Sequence, residues 1–218
     1  MHIRKIHSKK YYNDSLISIR VERGEIVFKP GQHFSLSIKN KFVNREYSTF
    51  SSKDSKYIEF LIKIVTDGIV SNQIKELVEG DEIFLHGPFG KFLDLESGDY
   101  NNLILISSGS GVAPFRSLAV SENITNFKLI HGIRKKEDII DDGSFDKGTV
   151  TYCVSGDNEH NYFNGRVTKY LEETSDDIFS NNNLYFICGN KDMIADVYKI
   201  LIEKHKISSD KIDSETFF

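Results

Sequence analysis

Leu103-Ile104-Leu105-Ile106-Ser107-Ser108-Gly109-Ser110-Gly111-Val112-Ala113-Pro114 is the stretch that decides the fold. Its apolar run is typical of a strand buried on both faces of a parallel sheet. Its glycines predict a loop, and Pro114 suits an early helical position, where a backbone N–H is not needed. A strand, a glycine loop and a helix in this order can bring backbone N–H groups against a dinucleotide phosphate. Because a proline stands where the usual fingerprint has its third glycine, a plain turn between strand and helix is the alternative.

The chain beyond this stretch repeats the alternation of strands and helices. We expect strands at 127–131, 149–154, 184–188 and 212–218, and helices at 167–173 and 193–205. This alternation predicts an α/β doubly wound parallel sheet with right-handed crossovers. Ligands of such sheets bind beyond the carboxyl ends of the strands. We therefore expect Cys188-Gly189-Asn190 to lie at the same crevice as the loop at 109–111.

The chain before this stretch has a different pattern, with short alternating runs at 16–19, 25–28, 33–38, 57–64 and 82–86. Turns are expected at 29–31, 51–55 and 87–90, so these runs predict a small antiparallel barrel or sandwich. A helix is expected at 72–78, with Ser71 as its N-cap and Gly68 just before it. Composition loosens at 96–102, which places the domain boundary between residues 98 and 99, giving domains 1–98 and 99–218.

Arg45-Glu46-Tyr47-Ser48-Thr49 combines a cation for a phosphate, a ring that can stack and a hydroxyl group. We interpret it as one wall of a flavin site. The alternative is a half-exposed strand in which Tyr47 packs and Arg45 extends into solvent. The helix that follows Gly68 is compatible with the first interpretation, since a helix N-terminus offers free N–H groups to a pyrophosphate; an ordinary N-cap without a ligand is the alternative.

Composition excludes several classes of protein. The 218 residues carry a net charge of -4 with dispersed cations, which argues against nucleic-acid binding. The sequence has no run that could span a membrane and no signal peptide, so we expect a cytoplasmic protein. Two cysteines are too few for a disulfide framework, a structural zinc site or an iron-sulfur cluster. The seven histidines lack metal-ligand spacing, and we expect no metal site.

Through five motifs the chain resembles the ferredoxin-NADP(H) reductase superfamily. The sequences of these motifs are similar to those of bacterial ferredoxin/flavodoxin reductases. In chain order they are Arg45-x-Tyr47-Ser48, Gly68-x-x-Ser71, Gly87-Pro88-x-Gly90, Gly109-Ser110-Gly111-x-Ala113-Pro114 and Cys188-Gly189-Asn190. The resemblance covers nearly the whole chain. It implies an FAD-binding antiparallel β-barrel followed by an NAD(P)-binding α/β domain, with FMN as the alternative flavin.

For the flavin, the resemblance implies that Arg45 holds the pyrophosphate and Tyr47 stacks on or beside the ring. By the same resemblance, Gly68 and Ser71 would complete the pyrophosphate site, and Ser48 would bond near flavin N5. Strict strand alternation puts Arg45 and Tyr47 on one face and Ser48 on the other. A bend or bulge is therefore expected within this strand.

For the dinucleotide, the resemblance implies a pyrophosphate cradle whose residues are Gly109, Ser110, Gly111 and Pro114. Cys188 would lie beside nicotinamide C4; a small buried hydrophobic side chain is the alternative interpretation of this cysteine. Glu215 would assist proton movement. A terminal aromatic, either Phe217 or Phe218, would cover the flavin face that the nicotinamide must occupy, unless both simply pack on an edge strand.

The choice of dinucleotide depends on cations near the third strand of the second domain. Related NADP-dependent enzymes commonly have an arginine after the serine of this strand, where this chain has Val154-Ser155-Gly156-Asp157. Asp157 can favour a bare ribose hydroxyl. Arg166 matches a second arginine of the family, and Arg134 follows the second strand with Lys135 and Lys136. We expect NADP(H), bound through Arg166 and Arg134, with NAD(H) as the alternative.

The implied reaction is hydride transfer between NAD(P)H and FAD, with single electrons passing to or from a separate ferredoxin or flavodoxin. The alternatives are the reductase component of an oxygenase, a free-flavin reductase, or a flavin-binding electron-transfer subunit of a larger complex. A monomer is expected. A basic cluster, either a docking surface for an acidic carrier or a solvated face, comprises Arg4, Lys5, Lys9, Lys10, Lys39, Lys41 and Arg45.

Overall fold

The computed structural model describes residues 1–38, 43–93, 95, 100–140, 143–175 and 178–217. The chain forms two compact units. The first comprises Met1–Lys91 and Ala113–Glu122, and the second comprises Phe92–Val112 and Asn123–Phe218. The boundary predicted between residues 98 and 99 lies outside the described residues.

The first unit is built on a sheet of six antiparallel strands. In chain order the strands are β1 (His2–Asn13), β2 (Leu16–Glu22), β3 (His33–Ile38), β4 (Asn44–Ser48), β5 (Tyr57–Lys63) and β6 (Glu82–Phe89). Their order in the sheet is β4-β3-β6-β1-β2-β5. A bridge from Thr49, just after β4, to Phe60 of β5 connects the two edge strands. The sheet therefore closes on itself, and the predicted antiparallel barrel is confirmed.

Alternating apolar residues fill the interior of this barrel. Ile17, Ile19 and Val21 of β2 face inward and pack with the equally buried Ile58 and Phe60 of β5. One helix, α1 (Ile69–Glu76), adds Val70 and Ile74 to the same core. Period-two alternation on β2 and β5 is the signal by which the sequence predicted these strands.

Two local predictions for the first unit were wrong, and one strand was missed. Residues 25–28 form no strand; Ile26 and Phe28 are buried in the barrel core from an irregular segment. The expected turn at 87–90 is partly strand, because β6 continues through a cis Gly87–Pro88 bond to Phe89. The longest strand, β1, was not predicted, since its many charged residues hide the alternation that buries Ile6.

The second unit is built on a sheet of six parallel strands. They are β7 (Leu103–Ser108), β8 (Phe127–Ile133), β9 (Thr149–Val154), β10 (Phe163–Asn164), β11 (Leu184–Gly189) and β12 (Ile212–Thr216). The order is β10-β9-β8-β7-β11-β12, so the chain moves outward from β7 in one direction and then in the other. This order confirms the predicted doubly wound sheet. It places the topological switch point between β7 and β11.

Helices α3 (Val167–Glu173) and α4 (Lys191–Glu203) pack against this sheet. Their apolar stripes, represented by Leu171 and Val197, join a core that includes Ile104, Ile106 and Ile187 of the strands. The bounds of β9 and α3 agree with those predicted. α4 begins two residues earlier than expected, because Asn190 caps it by accepting the N–H of Met193 at 2.9 Å.

The helix after the glycine loop, α2 (Ala113–Ser121), groups with the first unit. Ser117 Oγ donates a hydrogen bond to the carbonyl of Ser51 at 2.7 Å. The guanidinium of Arg116 donates to the carbonyl of Phe50 at 2.7 Å and lies 4.2 Å from the Phe50 ring centroid. These contacts explain why α2 packs with the barrel although, in the chain, it comes after β7 and the glycine loop.

Candidate flavin and dinucleotide sites

The strand β4 presents Arg45 and Tyr47 at one edge of the sheet. Arg45 is exposed, and its Nη1 donates to the carbonyl of Asn44 at 2.8 Å. Tyr47 is half-buried against the barrel core. Burial raises the pKa of Tyr47 to about 12, opposed by the nearby charge of Arg45. The phenol therefore stays protonated over the physiological range, and it offers a neutral ring and an O–H donor.

Ser48 lies on the opposite face of β4 and is 1 % exposed. The described pairing of β4 with β3 is regular from Asn44 to Ser48, so the bulge expected within this strand is not found there. The nearby register shift belongs to β3, between His33 and Ser35 where that strand pairs with β6. Regular pairing thus separates Ser48 from the face that carries Arg45 and Tyr47.

At the start of α1, Gly68 is the N-cap, and the prediction that Ser71 caps this helix was wrong. Ser71 lies within the first turn, where its Oγ accepts the N–H of Val65 at 3.2 Å and donates to the carbonyl of Gly68 at 3.3 Å. A Cβ on Gly68 would come 2.6 Å from this Oγ. Asn72 donates to the carbonyls of Val65 and Gly68 at 2.8 Å each. The loop is therefore bound tightly to the first turn.

These features of the first unit suit a phosphate-bearing flavin. No described side chain caps the N-terminus of α1, so its N–H groups and partial positive charge are open to an anion. A glycine there keeps the approach to these groups clear of a Cβ. Both α1 and β4 contact β3. The N-terminus of α1 and the strand that carries Arg45 therefore belong to the same unit.

In the second unit, the loops after β7 and β11 interlock at the switch point. A Cβ on Gly111 would come 2.3 Å from the carbonyl oxygen of Cys188. A Cβ on Gly189 would come 2.4 Å from Ser108 Oγ. Gly109 adopts a φ of +54°, the left-handed region that glycine favours. The structure thus brings together the two loops that the sequence assigned to one crevice, and glycine is required at their contact.

A row of polar and titratable side chains crosses the sheet next to these loops. In register from β9 to β12 it consists of Tyr152, His131, Ser107, Cys188 and Glu215. Neighbours in register on parallel strands share a face, so all five side chains lie on one face of the sheet. Ser107 Oγ and His131 Nδ1 are 2.8 Å apart and buried. This pair was not recognised from the sequence, although two polar residues in adjacent apolar strands were a visible signal.

The protonation states in this row follow from burial. Burial lowers the pKa of His131 to about 4, so its imidazole is neutral. Burial, together with the carboxylate of Glu215, raises the pKa of Cys188 well above its ordinary value. Cys188 is therefore a neutral thiol and not a thiolate nucleophile. Glu215 itself is half-buried on β12.

Two arginines are expected at the dinucleotide 2'-phosphate. Arg134 follows β8 and Arg166 follows β10, the two strands that flank β9 in the sheet. Arg134 is exposed after β8, and its carbonyl accepts the N–H of Gly156 at 2.8 Å. A Cβ on Gly156 would come 3.0 Å from Arg134 Cγ, so this arginine lies against the turn after β9. Arg166 is exposed at the N-cap of α3, directly after Gly165, whose N–H donates to the carbonyl of Val154.

The C-terminal aromatics are only partly described. Phe217 is half-buried, and its N–H donates to the carbonyl of Gly189 at 2.8 Å. Phe218 lies outside the described residues. The strand β12 ends at Thr216 and not at 218 as predicted. That one of these two phenylalanines covers the flavin stays a prediction.

The described part of the chain offers no metal site beside these loops. There, no three or more His, Cys, Asp or Glu side chains are grouped so as to hold a metal ion. Both cysteines, Cys153 and Cys188, are buried and free. Among the same residues, no helix has the length and apolar character needed to cross a membrane.

Each of the two units matches a known domain family. The oxidoreductase FAD-binding domain matches residues 12–93, which run from the end of β1 through β6. The oxidoreductase NAD-binding domain matches residues 105–199, which begin in β7 and end in α4. The chain belongs to the ferredoxin-NADP(H) reductase superfamily. It is thus an FAD-dependent oxidoreductase with a nicotinamide-dinucleotide-binding domain, and the predicted family, fold and cofactor classes are confirmed.

Proteins similar to this chain include two groups by name, ferredoxin or flavodoxin reductases and reductase components of oxygenases. A flavodoxin/ferredoxin-NADP reductase of Buchnera aphidicola is 27 % identical over 78 % of this chain and 73 % of the relative. A propane 2-monooxygenase reductase component of Gordonia is 29 % identical over 90 % of this chain but only 61 % of the relative. A ferredoxin NADP+ reductase structure from Neisseria gonorrhoeae, with bound FAD and NADP, superposes with a TM-score of 0.86 at 23 % identity, covering 100 % of this chain and 98 % of that one.

Proposed function

We propose that the protein transfers hydride between NADP(H) and FAD and exchanges single electrons with a separate ferredoxin or flavodoxin. The observation that carries this proposal is the order of the two matched domains, an FAD-binding barrel followed by a parallel sheet with glycine at its switch point. Bound FAD would supply the step from two-electron to one-electron chemistry. The chain is proposed to act as a cytoplasmic monomer.

In the first unit, Arg45 and the N-terminus of α1 hold the FAD pyrophosphate. The exposed guanidinium suits a bidentate contact, and the uncapped helix adds backbone donors. Tyr47 contributes a neutral ring beside the isoalloxazine. Ser71 acts indirectly, because its hydroxyl holds the loop at Gly68 in place. Ser48 is 1 % exposed on the face of β4 opposite Tyr47, so the contact near flavin N5 that the resemblance implies stays a prediction.

In the second unit, the loop at Gly109, Ser110 and Gly111 cradles the dinucleotide pyrophosphate, and Pro114 begins the helix that follows. Cys188 lies beside nicotinamide C4 as a neutral thiol, which shapes the site without competing as a nucleophile. Glu215, its neighbour in register, holds or releases a proton. Arg134 and Arg166 contact the 2'-phosphate, which favours NADP(H) over NAD(H).

A second candidate is the reductase component of an oxygenase. The match to the Gordonia reductase component covers nine-tenths of this chain and favours this candidate. The two functions share the hydride transfer and differ in the electron acceptor. Their difference therefore lies in the surface that meets the carrier and not in the sites described above.

Anaerobic titration of the FAD-loaded protein tests both. NADPH should bleach the flavin absorbance, and ferredoxin or flavodoxin should restore it. If neither NADPH nor NADH bleaches the flavin, the oxidoreductase proposal is wrong. Restoration by an oxygenase-type iron-sulfur protein, but not by ferredoxin or flavodoxin, would select the second candidate. Restoration by free FMN alone would indicate a free-flavin reductase.

A further inference from the structure

Lys9 lies on β1, and its ammonium group is half-buried at the C-terminal end of α1. It donates hydrogen bonds to the carbonyl oxygens of Lys75 and Leu77. Lys75 is in the last turn of this helix, and Leu77 is its C-cap. Lys9 therefore satisfies carbonyls that a helix terminus leaves without an intrahelical partner.

Neighbouring cations do not share this role. Lys10 is exposed on the other face of β1, with its ammonium 4.6 Å from the Tyr12 ring centroid. Lys5 is also exposed. The sequence placed Lys9 in a basic cluster that faces solvent or a carrier. In the structure its ammonium group instead binds the C-terminal end of α1. Lys39 and Lys41 of that cluster lie outside the described residues.

The helix α1 depends on such contacts for its position. It has eight residues, and helices of this length are marginal in isolation, so tertiary contacts must hold it. Val70 and Ile74 bury one face, and Ser71 and Asn72 fasten its first turn. At the other end, the Lys9 ammonium holds two carbonyls and offsets the partial negative charge of the terminus. Its removal would leave the C-terminal end of α1 without this anchor.

We propose that Lys9 is a positioning residue for the FAD pyrophosphate. It touches neither cofactor nor substrate; it fixes the length and orientation of α1, whose N-terminal N–H groups meet the pyrophosphate. The cation also offsets the partial negative charge at the C-terminal end of the helix, which would otherwise oppose an anion bound at the N-terminal end. This inference rests on the proposed FAD site at Gly68.

The experiment compares K9M with K10M, a matched loss of charge at the adjacent residue. FAD dissociation constants are measured by fluorescence on the apoprotein, and melting temperatures are measured with and without FAD. We expect K9M to weaken FAD binding by about tenfold or more, because α1 would no longer hold its N-terminal N–H groups in place and their charge-assisted contacts to the pyrophosphate would be weakened. K10M should stay within about twofold, the change that a surface charge makes. K9R, which keeps a cation, should recover most of the affinity.

Each result decides the inference. If K9M lowers the melting temperatures of the apo and FAD-bound forms equally and leaves the dissociation constant unchanged, Lys9 is only a structural residue and the proposal is wrong. Should K9M not fold, K9Q replaces it, and unchanged FAD affinity in K9Q overturns the proposal in the same way. Failure of the wild-type protein to bind FAD would instead overturn the proposed function itself.

Discussion

Gly111 lies against the backbone of Cys188 so closely that a Cβ at this glycine would come 2.3 Å from the Cys188 carbonyl oxygen. Real side chains do not tolerate this distance, and neither partner is a flexible side-chain end that can move aside. The loops after β7 and β11 can therefore adopt their present positions only with glycine at 111. Gly109 provides a natural control, since a Cβ there would meet no atom within 4 Å.

Replacing Gly111 with alanine should displace the dinucleotide loop. We expect G111A to weaken NADP+ binding by about tenfold or more, because overpacking of about 1–3 kcal/mol must be relieved by backbone movement. G109A carries the strain of a left-handed residue but no clash with the loop after β11, so its loss of affinity should be smaller than that of G111A. Titration calorimetry on the FAD-loaded variants measures both. Equal losses in the two variants would contradict a specific role for the Gly111 contact.

The buried His131 should make stability depend on pH. Its folded-state pKa of about 4 lies below the ordinary value of 6.5, so the unfolded chain binds a proton more readily. The stability that neutral His131 contributes is therefore complete above pH 6.5 and is lost as pH falls toward 4. The loss should be on the order of 3 kcal/mol. Urea unfolding of wild type and H131N at pH 7 and pH 4.5 measures it. A wild-type protein whose pH slope matches that of H131N would contradict this assignment.

Arg45 should matter for flavin binding far more than its exposure suggests. Loss of a charge-assisted contact to phosphate costs about 1.5 to 3 kcal/mol, so R45A should bind FAD roughly tenfold to a hundredfold more weakly. R45K keeps the charge but not the planar fork, and its loss should be intermediate. Glu46 is the matched exposed neighbour, and E46Q should bind FAD like wild type. FAD affinity that is unchanged in R45A would remove this residue from the pyrophosphate site.

Arg166 and Arg134 should determine the choice of dinucleotide. We expect R166A and R134A each to lower the ratio of kcat/KM for NADPH to that for NADH by about tenfold, because only NADPH carries the 2'-phosphate. Lys169 is an exposed control on the same helix as Arg166, and K169A should leave the ratio unchanged. Stopped-flow flavin reduction with each dinucleotide gives the two constants. A ratio that is the same in R166A and wild type would exclude Arg166 from this contact.

Much of the second unit was predictable because its signals are local. The bounds of β9 and α3 agree with those read from the residues. The glycine turn follows β7 as predicted, although the strand continues two residues beyond its apolar run, to Ser108. Apolar runs and glycine loops are properties of a few consecutive residues. The order of such motifs was also enough to identify the superfamily. The switch point follows from chain order once a doubly wound sheet is inferred.

The first unit was less predictable because its strands are defined by distant partners. β1 is rich in charged residues, and it is a strand because it pairs with β2 and β6. Ile26 and Phe28 alternate as a strand would, yet they fill the core without pairing. Ser71 has the sequence features of an N-cap, but its hydroxyl group is hydrogen-bonded to the backbone of Val65 and Gly68 in the preceding loop. Local pattern does not distinguish these outcomes.

The sequence by itself determined the two domain types, the glycine loops and the types of residue available to hold a flavin and a dinucleotide. Only the tertiary structure decided that α2 packs with the barrel, that Ser107 pairs with His131 and that Lys9 anchors α1. Each of these contacts joins residues far apart in the chain. Such contacts depend on sheet register and helix placement, which are set by the packing of the whole core and not by the residues on either side.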